Sequence, residues 1–369
     1  MATHKCNDGG PCPIPPHPDL QARLLAQTLN FTHDGTIPLS APTGHVLGLN
    51  DGTIFPESHY EAPVTDRVMA NAALERAPLR GAVRAAIVLV DFSDQPMANG
   101  AEQRFRDLFF STGKIATGSV TEYYTDVSGG KISLTGEVSG PHRMPLKLAE
   151  YAHGEHGFSN TSPNLRNLVA DALAAVKDIN FSPYDNDGNG YVDAFVVVHA
   201  GMGGEVTGNV NDIWSAKWVL PNVVTVNGVK VYGFLTIPED AYIGVSAHEL
   251  GHLLFGWPDL YDTDYSSQGI GNWCLMSGGS WGGSPAGTKP CHPSAWCKAN
   301  QGWVDVTIEN QNRKIHLGDV KLTKDVRRLW SHGDATNEYY LIENRQKAGF
   351  DQSLPGPGLL GTAFVSLSR

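Results

Sequence analysis

Continuous apolar runs and one stretch of helical periodicity dominate the hydrophobic pattern of this chain. Ala85–Phe92 and Val192–His199 are apolar over the length of a strand, which predicts two buried strands. Leu165–Val176 carries apolar residues three and four positions apart and predicts an amphipathic helix. Val223–Tyr232 predicts a hairpin around Asn227-Gly228. Because strands alternate with helices, we expect an α/β fold with a twisted sheet.

Weaker patterns define the two ends of the chain. Ala101–Phe110 predicts a short helix, and Lys314–Leu322 and Glu338–Glu343 are typical of strands. Residues 1–80 are rich in Pro, Gly and His and have little periodicity apart from a short helix near Leu20–Leu29. We therefore expect residues 1–80 to form an irregular, propeptide-like segment and residues 81–369 to form one large domain.

The segment His248-Glu249-Leu250-Gly251-His252 lies in an apolar stretch that predicts a buried helix from about Gly244. Residues four apart on a helix share one face, so both imidazoles can bind a single zinc ion. Glu249 can then accept the proton of the attacking water. The pattern is short, and two ordinary core histidines are the alternative interpretation.

A catalytic zinc site needs a third protein ligand and one open position. Gly256 can end the helix in a left-handed conformation, and Pro258 prevents the helix from resuming, so the chain must turn there. Asp259 is the nearest carboxylate after the turn, with Asp262 and Asp264 as alternative third ligands. An Asp that only caps the turn is the non-metal alternative.

The helix motif and the glycine-rich segment around Met276 resemble the M6 family of metalloproteases, the immune inhibitor A-like peptidases among the metzincin-type zinc proteases. Blocks similar to the family extend over roughly residues 80–360: Ile87–Asp94, Ser119–Tyr124, Ile213–Ser215, Ile237–Asp240 and Tyr340–Arg345. The resemblance implies a metzincin-like domain whose active-site helix lies below a twisted sheet. It also implies a methionine turn with Met276 beneath the metal, where the alternative is an ordinary core methionine.

The chain departs from the family pattern at two places. The motif H-E-x-x-H-x-x-G-x-x-(H/D) would place Phe255 and Pro258 at its glycine and third ligand, so one inserted residue is needed to align Gly256 and Asp259. At the C terminus the family continues with an apolar strand that bears a histidine and an acidic residue, whereas this chain reads Gly361–Arg369. We therefore expect a truncated or altered C-terminal end.

A second candidate metal site is an Asp-rich loop with oxygen side chains at alternate positions around two glycines, a pattern that suits calcium. Its candidate ligands are Asp185, Asp187, Asn189, Tyr191 and Asp193. The loop copies nine positions of a helix-loop-helix calcium site, but Val196 replaces the bidentate Glu and a strand-like run follows. We predict an isolated structural Ca²⁺ loop, with a solvated Asx turn as the alternative.

Charge and hydropathy restrict the partners. The chain has 27 Lys and Arg against 38 Asp and Glu, a net charge of −11 without a basic stripe, which argues against nucleic acid. No apolar run approaches the length of a membrane span. The family resemblance implies protein or peptide substrates and secretion, although Met1–Cys6 lacks the apolar core of a signal peptide.

Five cysteines cannot all pair internally; they are Cys6, Cys12, Cys274, Cys291 and Cys297. Cys6 with Cys12, and two of the other three, are possible bridges. A thiol from the N-terminal segment can also occupy the open zinc position, although a small surface disulfide is the expected use of Cys6 and Cys12.

The leading functional hypothesis is a zinc-dependent endopeptidase with Glu249 as general base. Tyr261 and Tyr265 are candidates to stabilise the oxyanion, with aromatic packing as their expected use. A non-catalytic, calcium-stabilised binding protein with a degenerate zinc site is the alternative. A zinc hydrolase that acts inside the cell on other substrates is a third possibility, because the motif specifies water activation rather than a substrate. Serine hydrolase and nucleotide-hydrolase motifs are absent from the sequence.

Overall fold

The computed structural model describes residues 11–23, 78–262, 267–330 and 338–365. Within these ranges the strands form a six-stranded and a four-stranded sheet, with helices packed against them. The α/β class predicted from the alternation of strands and helices is confirmed. Among the described residues, no helix has the length and apolar character required to cross a bilayer.

The larger sheet contains the strands β1 Cys12–Pro13, β2 Gly81–Asp91, β3 Ile132–Arg143, β4 Phe195–His199, β5 Ala216–Val226 and β6 Val229–Pro238. Their order is β1-β5-β6-β4-β2-β3. Strands β3, β2, β4 and β6 are parallel, whereas β5 is antiparallel to β6 and β1 is antiparallel to β5. Among the described residues, the outer side of β5 is therefore paired by the two-residue strand β1 alone.

The helices are α1 Ala101–Phe110, α2 Val120–Val127, α3 Leu148–Ala152, α4 Leu165–Ala175, α5 Gly204–Thr207, α6 Ile243–Phe255, α7 Ala295–Asn300 and α8 Val320–Thr323. The predicted amphipathic helix is confirmed as α4. The Asn164 side chain caps it by accepting hydrogen bonds from the N–H groups of Arg166 and Asn167. Its apolar face is buried through Leu165, Leu168, Val169, Ala172 and Leu173.

The strands β2 and β4 are buried, as their continuous apolar composition predicts. The apolar residues of β2 from Ala85 to Val90 are fully buried, and so is β4, as parallel strands covered on both faces require. The predicted hairpin joins β5 to β6. Asn227 and Gly228 have φ of 50° and 83°, and positive φ at both positions is what a tight two-residue hairpin turn needs.

The smaller sheet contains β7 Asp305–Glu309, β8 Asp325–Trp330, β9 Glu338–Arg345 and β10 Gly358–Val365, in the order β10-β9-β8-β7. The strand predicted at Glu338–Glu343 is confirmed as β9. The strand predicted over Lys314–Leu322 is wrong, because this region ends in the helix α8. The Asp319 side chain accepts a hydrogen bond from the Lys321 N–H and caps α8, while Leu322 points to solvent.

Candidate active site

Every residue of α6 is buried, which fits its uniformly apolar composition around the two histidines. The helix ends at Gly256, which has the left-handed conformation expected from the sequence, with φ of 64°. Phe255 is the last helical residue, so it is Gly256 that takes the role of the motif's glycine. The helix therefore holds His248 and His252 on a rigid, fully packed element.

Three side-chain atoms converge beside α6. Nε2 of His248 and Nε2 of His252 lie 3.1 Å apart, and each lies 3.1 Å from Oδ1 of Asp259. All three side chains are buried. Asp259 follows the turn at Gly256, and the adjacent Leu260 N–H donates to the carbonyl of Met276 at 2.7 Å. The turn thus brings the nearest downstream carboxylate to both imidazoles.

Of the two alternative third ligands, the described residue Asp262 is not part of this cluster. Asp262 is buried and accepts a hydrogen bond from the backbone N–H of Ser267. It lies outside the group of atoms that converge within 4.8 Å, whose members are His248, His252 and Asp259. Asp264, like Tyr265, lies outside the described residues.

Both imidazoles are oriented by backbone carbonyls. Nδ1 of His248 lies 2.9 Å from the carbonyl oxygen of Leu275, and Nδ1 of His252 contacts that of Trp257. A carbonyl can only accept, so each Nδ1 carries a proton, and in the neutral imidazole Nε2 then presents a lone pair to the cluster. In metal sites, a carbonyl that binds the other ring N–H in this way fixes the tautomer and orientation of the histidine ligand.

The cluster fits a cation. Burial lowers the pKa of His248, and although burial works in the opposite direction for Asp259, the two histidines lower its pKa. With both imidazoles neutral, two lone pairs and a carboxylate oxygen face one another. Such acceptors repel unless a proton or a cation lies between them, and a separation near 3.1 Å suits zinc bonds of about 2.0–2.2 Å.

Glu249 is the unpartnered group of the site. Its side chain is completely buried, and neither carboxylate oxygen has a hydrogen-bond partner. Desolvation, and after it the charge of Asp259, raises the pKa of Glu249 well above its ordinary value. A buried carboxylate without a partner costs free energy, so this position is typical of a functional group rather than of a stabilising one.

Met276 lies beneath the helix, as the resemblance implies. It is fully buried, and a Cβ atom added at Gly251 would lie 2.6 Å from its Sδ and 3.1 Å from the Trp257 ring. Gly251, between the two histidines, therefore allows the methionine to approach the helix. The neighbouring Gly244 plays a similar part, because an added Cβ would lie 1.9 Å from the carbonyl oxygen of Ser280.

Two charged residues near the site were not predicted. Glu205 is buried, and desolvation raises its pKa to about 7 while it accepts hydrogen bonds from the N–H and hydroxyl of Ser215. Arg345 is buried, pairs with Asp351 and donates to the Trp273 carbonyl at the start of the methionine turn. The only sequence signal for either was the family-like block that ends at Arg345.

The Asp-rich loop brings the carboxylate oxygens of Asp185, Asp187 and Asp193 within 4.8 Å of one another. The loop's own amides also use these groups: Asn189 N–H donates to Asp185 and Asp187, and Gly190 N–H donates to Asp185. The Asn189 side-chain oxygen in turn accepts from the Tyr191 N–H. These bonds are those of an Asx-type turn, the alternative predicted for this loop, and calcium binding stays a prediction.

The four described cysteines are free thiols and all are buried: Cys12, Cys274, Cys291 and Cys297. Cys274 and Cys297 are hydrogen-bonded to each other. Cys6 lies outside the described residues, and so does any bridge that it would form with Cys12. Tyr261, for which packing was the expected use, donates its hydroxyl to the carbonyl of Pro13 at 2.7 Å.

Known proteins match the region that contains this site. The profile of the family described as Immune inhibitor A peptidase M6, catalytic domain, matches residues 84–306 of the 369. The chain belongs to the M6 peptidase family. The resemblance inferred from the sequence motifs is thereby confirmed. The matched region of this M6 chain includes α6, Asp259, Met276 and the Asp-rich loop, whereas β8, β9 and β10 lie beyond it.

Two relatives of this M6 chain align with it over part of their length. It is 37% identical over 252 residues to Immune inhibitor A of Bacillus thuringiensis subsp. alesti, and 32% identical over 265 residues to Pre-pro-metalloprotease PrtV of Vibrio cholerae serotype O1. These alignments cover 56% and 57% of this M6 chain, and 36% and 28% of the two relatives. The matched part of the chain therefore spans about a third of their length.

Proposed function

We propose that this chain is a zinc-dependent endopeptidase in which His248, His252 and Asp259 hold the metal and Glu249 is the general base. The observation that carries the proposal is the convergence of three ligand atoms, each 3.1 Å from the others, beside the unpartnered Glu249 carboxylate. The M6 family membership and the metalloprotease name of one relative support peptide hydrolysis. Protein or peptide substrates follow from that assignment.

The chain's residues would divide the chemistry as follows. The bound zinc would supply Lewis acidity, which polarises the scissile carbonyl and acidifies water. Glu249 would accept the proton of the attacking water at its carboxylate and pass it to the leaving amine. Burial favours this exchange, because a carboxylate with a raised pKa holds a proton more readily than an exposed one. The carbonyls of Leu275 and Trp257 would keep both Nε2 atoms aimed at the metal.

The alternative of a binding protein with a degenerate zinc site depended on the inserted residue and on the altered C-terminal end. Asp259 Oδ1 nevertheless lies 3.1 Å from both imidazoles, so the insertion is accommodated by the turn at Gly256. This geometry favours the enzyme. We also propose that the Asp-rich loop binds a structural Ca²⁺ and that the protein acts outside the cell, the latter on the family resemblance alone.

The deciding experiment replaces Glu249 by Ala or by Gln. Zinc content, measured by mass spectrometry of the metal, should stay at one per chain, while cleavage of a generic protein substrate falls by about 10²–10⁴-fold or more. The exposed Glu102→Gln on α1 serves as a matched control and should cleave normally. Full activity in either Glu249 variant would refute the assignment.

A further inference from the structure

A buried ion pair lies against the backbone of residues 273–276, which include Met276. Its members are Arg345, the last residue of β9, and Asp351, and both side chains are almost completely inaccessible to solvent. Nε of Arg345 donates to Oδ2 of Asp351 at 3.0 Å, and Nη2 donates to Oδ1 of the same carboxylate. Removing two charges from water is costly, and their attraction often does no more than offset that cost. Stability alone is therefore a poor explanation of this pair.

The pair directs its remaining hydrogen bonds to backbone groups. Nη1 of Arg345 donates to the carbonyl of Trp273 at 2.5 Å, and Nη2 donates to the carbonyl of His292 at 3.2 Å. Oδ1 of Asp351 accepts a hydrogen bond from the His292 N–H at 2.8 Å. The guanidinium and the carboxylate thus hold both backbone groups of His292, and the guanidinium also holds the peptide group at Trp273.

From His292 two further hydrogen bonds lead to a proposed metal ligand. The Leu275 N–H donates to the His292 carbonyl at 3.3 Å, and this oxygen is the one that accepts from Arg345. The carbonyl of Leu275 lies 2.9 Å from Nδ1 of His248, whose ring it orients. The guanidinium is therefore connected to the His248 imidazole through the His292 carbonyl and the two backbone groups of Leu275.

The same backbone segment also contacts the other side of the cluster. The carbonyl of Met276 accepts a hydrogen bond from the Leu260 N–H at 2.7 Å, and Leu260 directly follows Asp259. A shift of residues 275 and 276 would therefore disturb the partner of one proposed ligand and the chain beside another. The position of this short segment matters to two of the three ligand side chains.

Resting on the zinc site proposed above, we propose that Arg345 is a positioning residue of the peptidase, which fixes the Leu275 carbonyl and so the direction of His248 Nε2. Metal ligands must be held within about 0.5 Å of their productive geometry by the groups around them. Arginine suits this task, because its planar fork can bind the Asp351 carboxylate and two carbonyls at once. The compact ammonium group of a lysine lacks that fork.

Arg345→Lys tests the proposal, because it keeps the positive charge beside Asp351 and removes the planar fork. Changes to the groups that orient metal ligands cost 10–100-fold in metal affinity or activity, so we expect the zinc dissociation constant to rise about tenfold or more. Competition with a chelating indicator measures it. For cleavage of a short peptide, kcat should fall by a similar factor while KM stays near the wild-type value, because the substrate's own contacts are unchanged.

Leu341→Ala is the matched control. Leu341 is also a buried residue of β9, but its side chain belongs to the separate hydrophobic cluster that contains Val320 and Val326. Its truncation should lower the melting temperature at least as much as Arg345→Lys does, because it leaves a cavity in the core. The zinc dissociation constant and kcat should nevertheless stay at the wild-type values.

Two readouts do not depend on the activity of the zinc form. With cobalt(II) in place of zinc, the visible absorption bands report the geometry of the ligands, and they should change in Arg345→Lys but not in Leu341→Ala. In the metal-free protein, hydrogen exchange of the Leu275 amide should be faster in Arg345→Lys than in the wild-type protein, because the carbonyl to which it donates has lost its second donor.

A double variant covers the case in which Arg345→Lys does not fold. Arg345→Met combined with Asp351→Leu removes both charges, and replacing a buried ion pair by apolar side chains often preserves stability. This variant should melt near the wild-type temperature and still show the weaker zinc binding and the lower kcat.

The outcomes separate this inference from the function on which it rests. A wild-type zinc dissociation constant and cobalt spectrum in Arg345→Lys, or in the double variant, would overturn the positioning role and leave the zinc peptidase intact. Equal losses in Arg345→Lys and Leu341→Ala would reveal a general effect of lower stability and would overturn it as well. Failure of the wild-type protein to bind zinc would instead remove the metal site and, with it, this inference.

Discussion

The carboxylates of the two candidate metal sites differ in how deeply they are buried and in the groups that surround them. In the proposed zinc cluster, Oδ1 of Asp259 lies 3.1 Å from both imidazole Nε2 atoms, and the carboxylate oxygens of the neighbouring Glu249 are buried without a hydrogen-bond partner. In the loop, Asp185 and Asp187 are half-buried and accept hydrogen bonds from their own backbone amides. A buried carboxylate without a donor costs free energy, so we expect the buried cluster to respond to loss of a cation more strongly than the loop, whose backbone amides already bind its carboxylates.

The largest difference should appear when one carboxylate is removed from each site. Asp259→Ala is expected to weaken zinc binding by more than about 100-fold, because changes to outer-shell partners alone cost 10–100-fold. Asp187→Asn in the loop should leave zinc affinity unchanged. Competition with a chelating indicator measures both constants. Equal zinc affinity in the wild-type protein and Asp259→Ala would show that another group completes the metal shell.

Burying carboxylates near the zinc site should also make stability depend on pH. The pKa of Glu205 is raised from 4.5 to about 7 in the fold, mainly by desolvation. As the pH rises, this carboxyl loses its proton at a lower pH in the unfolded chain than in the folded protein. The free energy of unfolding is therefore highest below pH 4.5 and declines by roughly 3 kcal/mol as the pH rises to about 7. Glu205→Gln should flatten this slope in denaturant titrations, while the exposed Glu102→Gln should not.

Calcium should stabilise the loop by a smaller amount. At a concentration 100 times its dissociation constant, a ligand that binds only the folded state adds about 2.7 kcal/mol. We expect added Ca²⁺ to raise the melting temperature of the wild-type protein and of Asp259→Ala, but not of Asp187→Asn. A loop that acts only as an Asx turn would show no calcium-dependent shift in any of the three.

The smallest expected effects on stability come from filling the space beside one glycine at each site. Gly251→Ala places a methyl group 2.6 Å from the Met276 sulfur and should destabilise the fold by about 1–3 kcal/mol. At Gly188 the loop has open space around an added Cβ, and Gly188→Ala should cost only the left-handed backbone strain of about 1–2 kcal/mol. Calorimetry of both variants would test whether the zinc cluster is the more tightly packed site.

Local signals predicted the parts of the site that are close together in sequence. The helix α6, its end at Gly256 and the return of Asp259 follow from periodicity and from the backbone preferences of Gly and Pro. Charged residues such as Glu205 and Arg345 gave no local signal, because their burial depends on the distant partners Ser215 and Asp351. The pairing of β1 with β5 is equally non-local.

The incorrect prediction of a strand over Lys314–Leu322 shows a second limit of prediction from sequence. Leu322 is 83% exposed in the folded protein, which does not fit a buried strand face. The Asp319 side chain accepts a hydrogen bond from the Lys321 N–H and caps a helical turn there instead. A short polar side chain such as Asp319 can therefore start a helical turn where the sequence suggests a strand.

The buried guanidinium of Arg345 has a consequence for any attempt to shorten this protein. It lies on β9, outside residues 84–306, yet it donates to the carbonyls of Trp273 and His292 and is neutralised by Asp351. The segment that contains Trp273 and Met276 is thus held by contacts from β9, which the family profile does not reach. A shortened protein that ends at residue 306 would lose these contacts. A version intended to stay functional should therefore extend beyond β9 and Asp351.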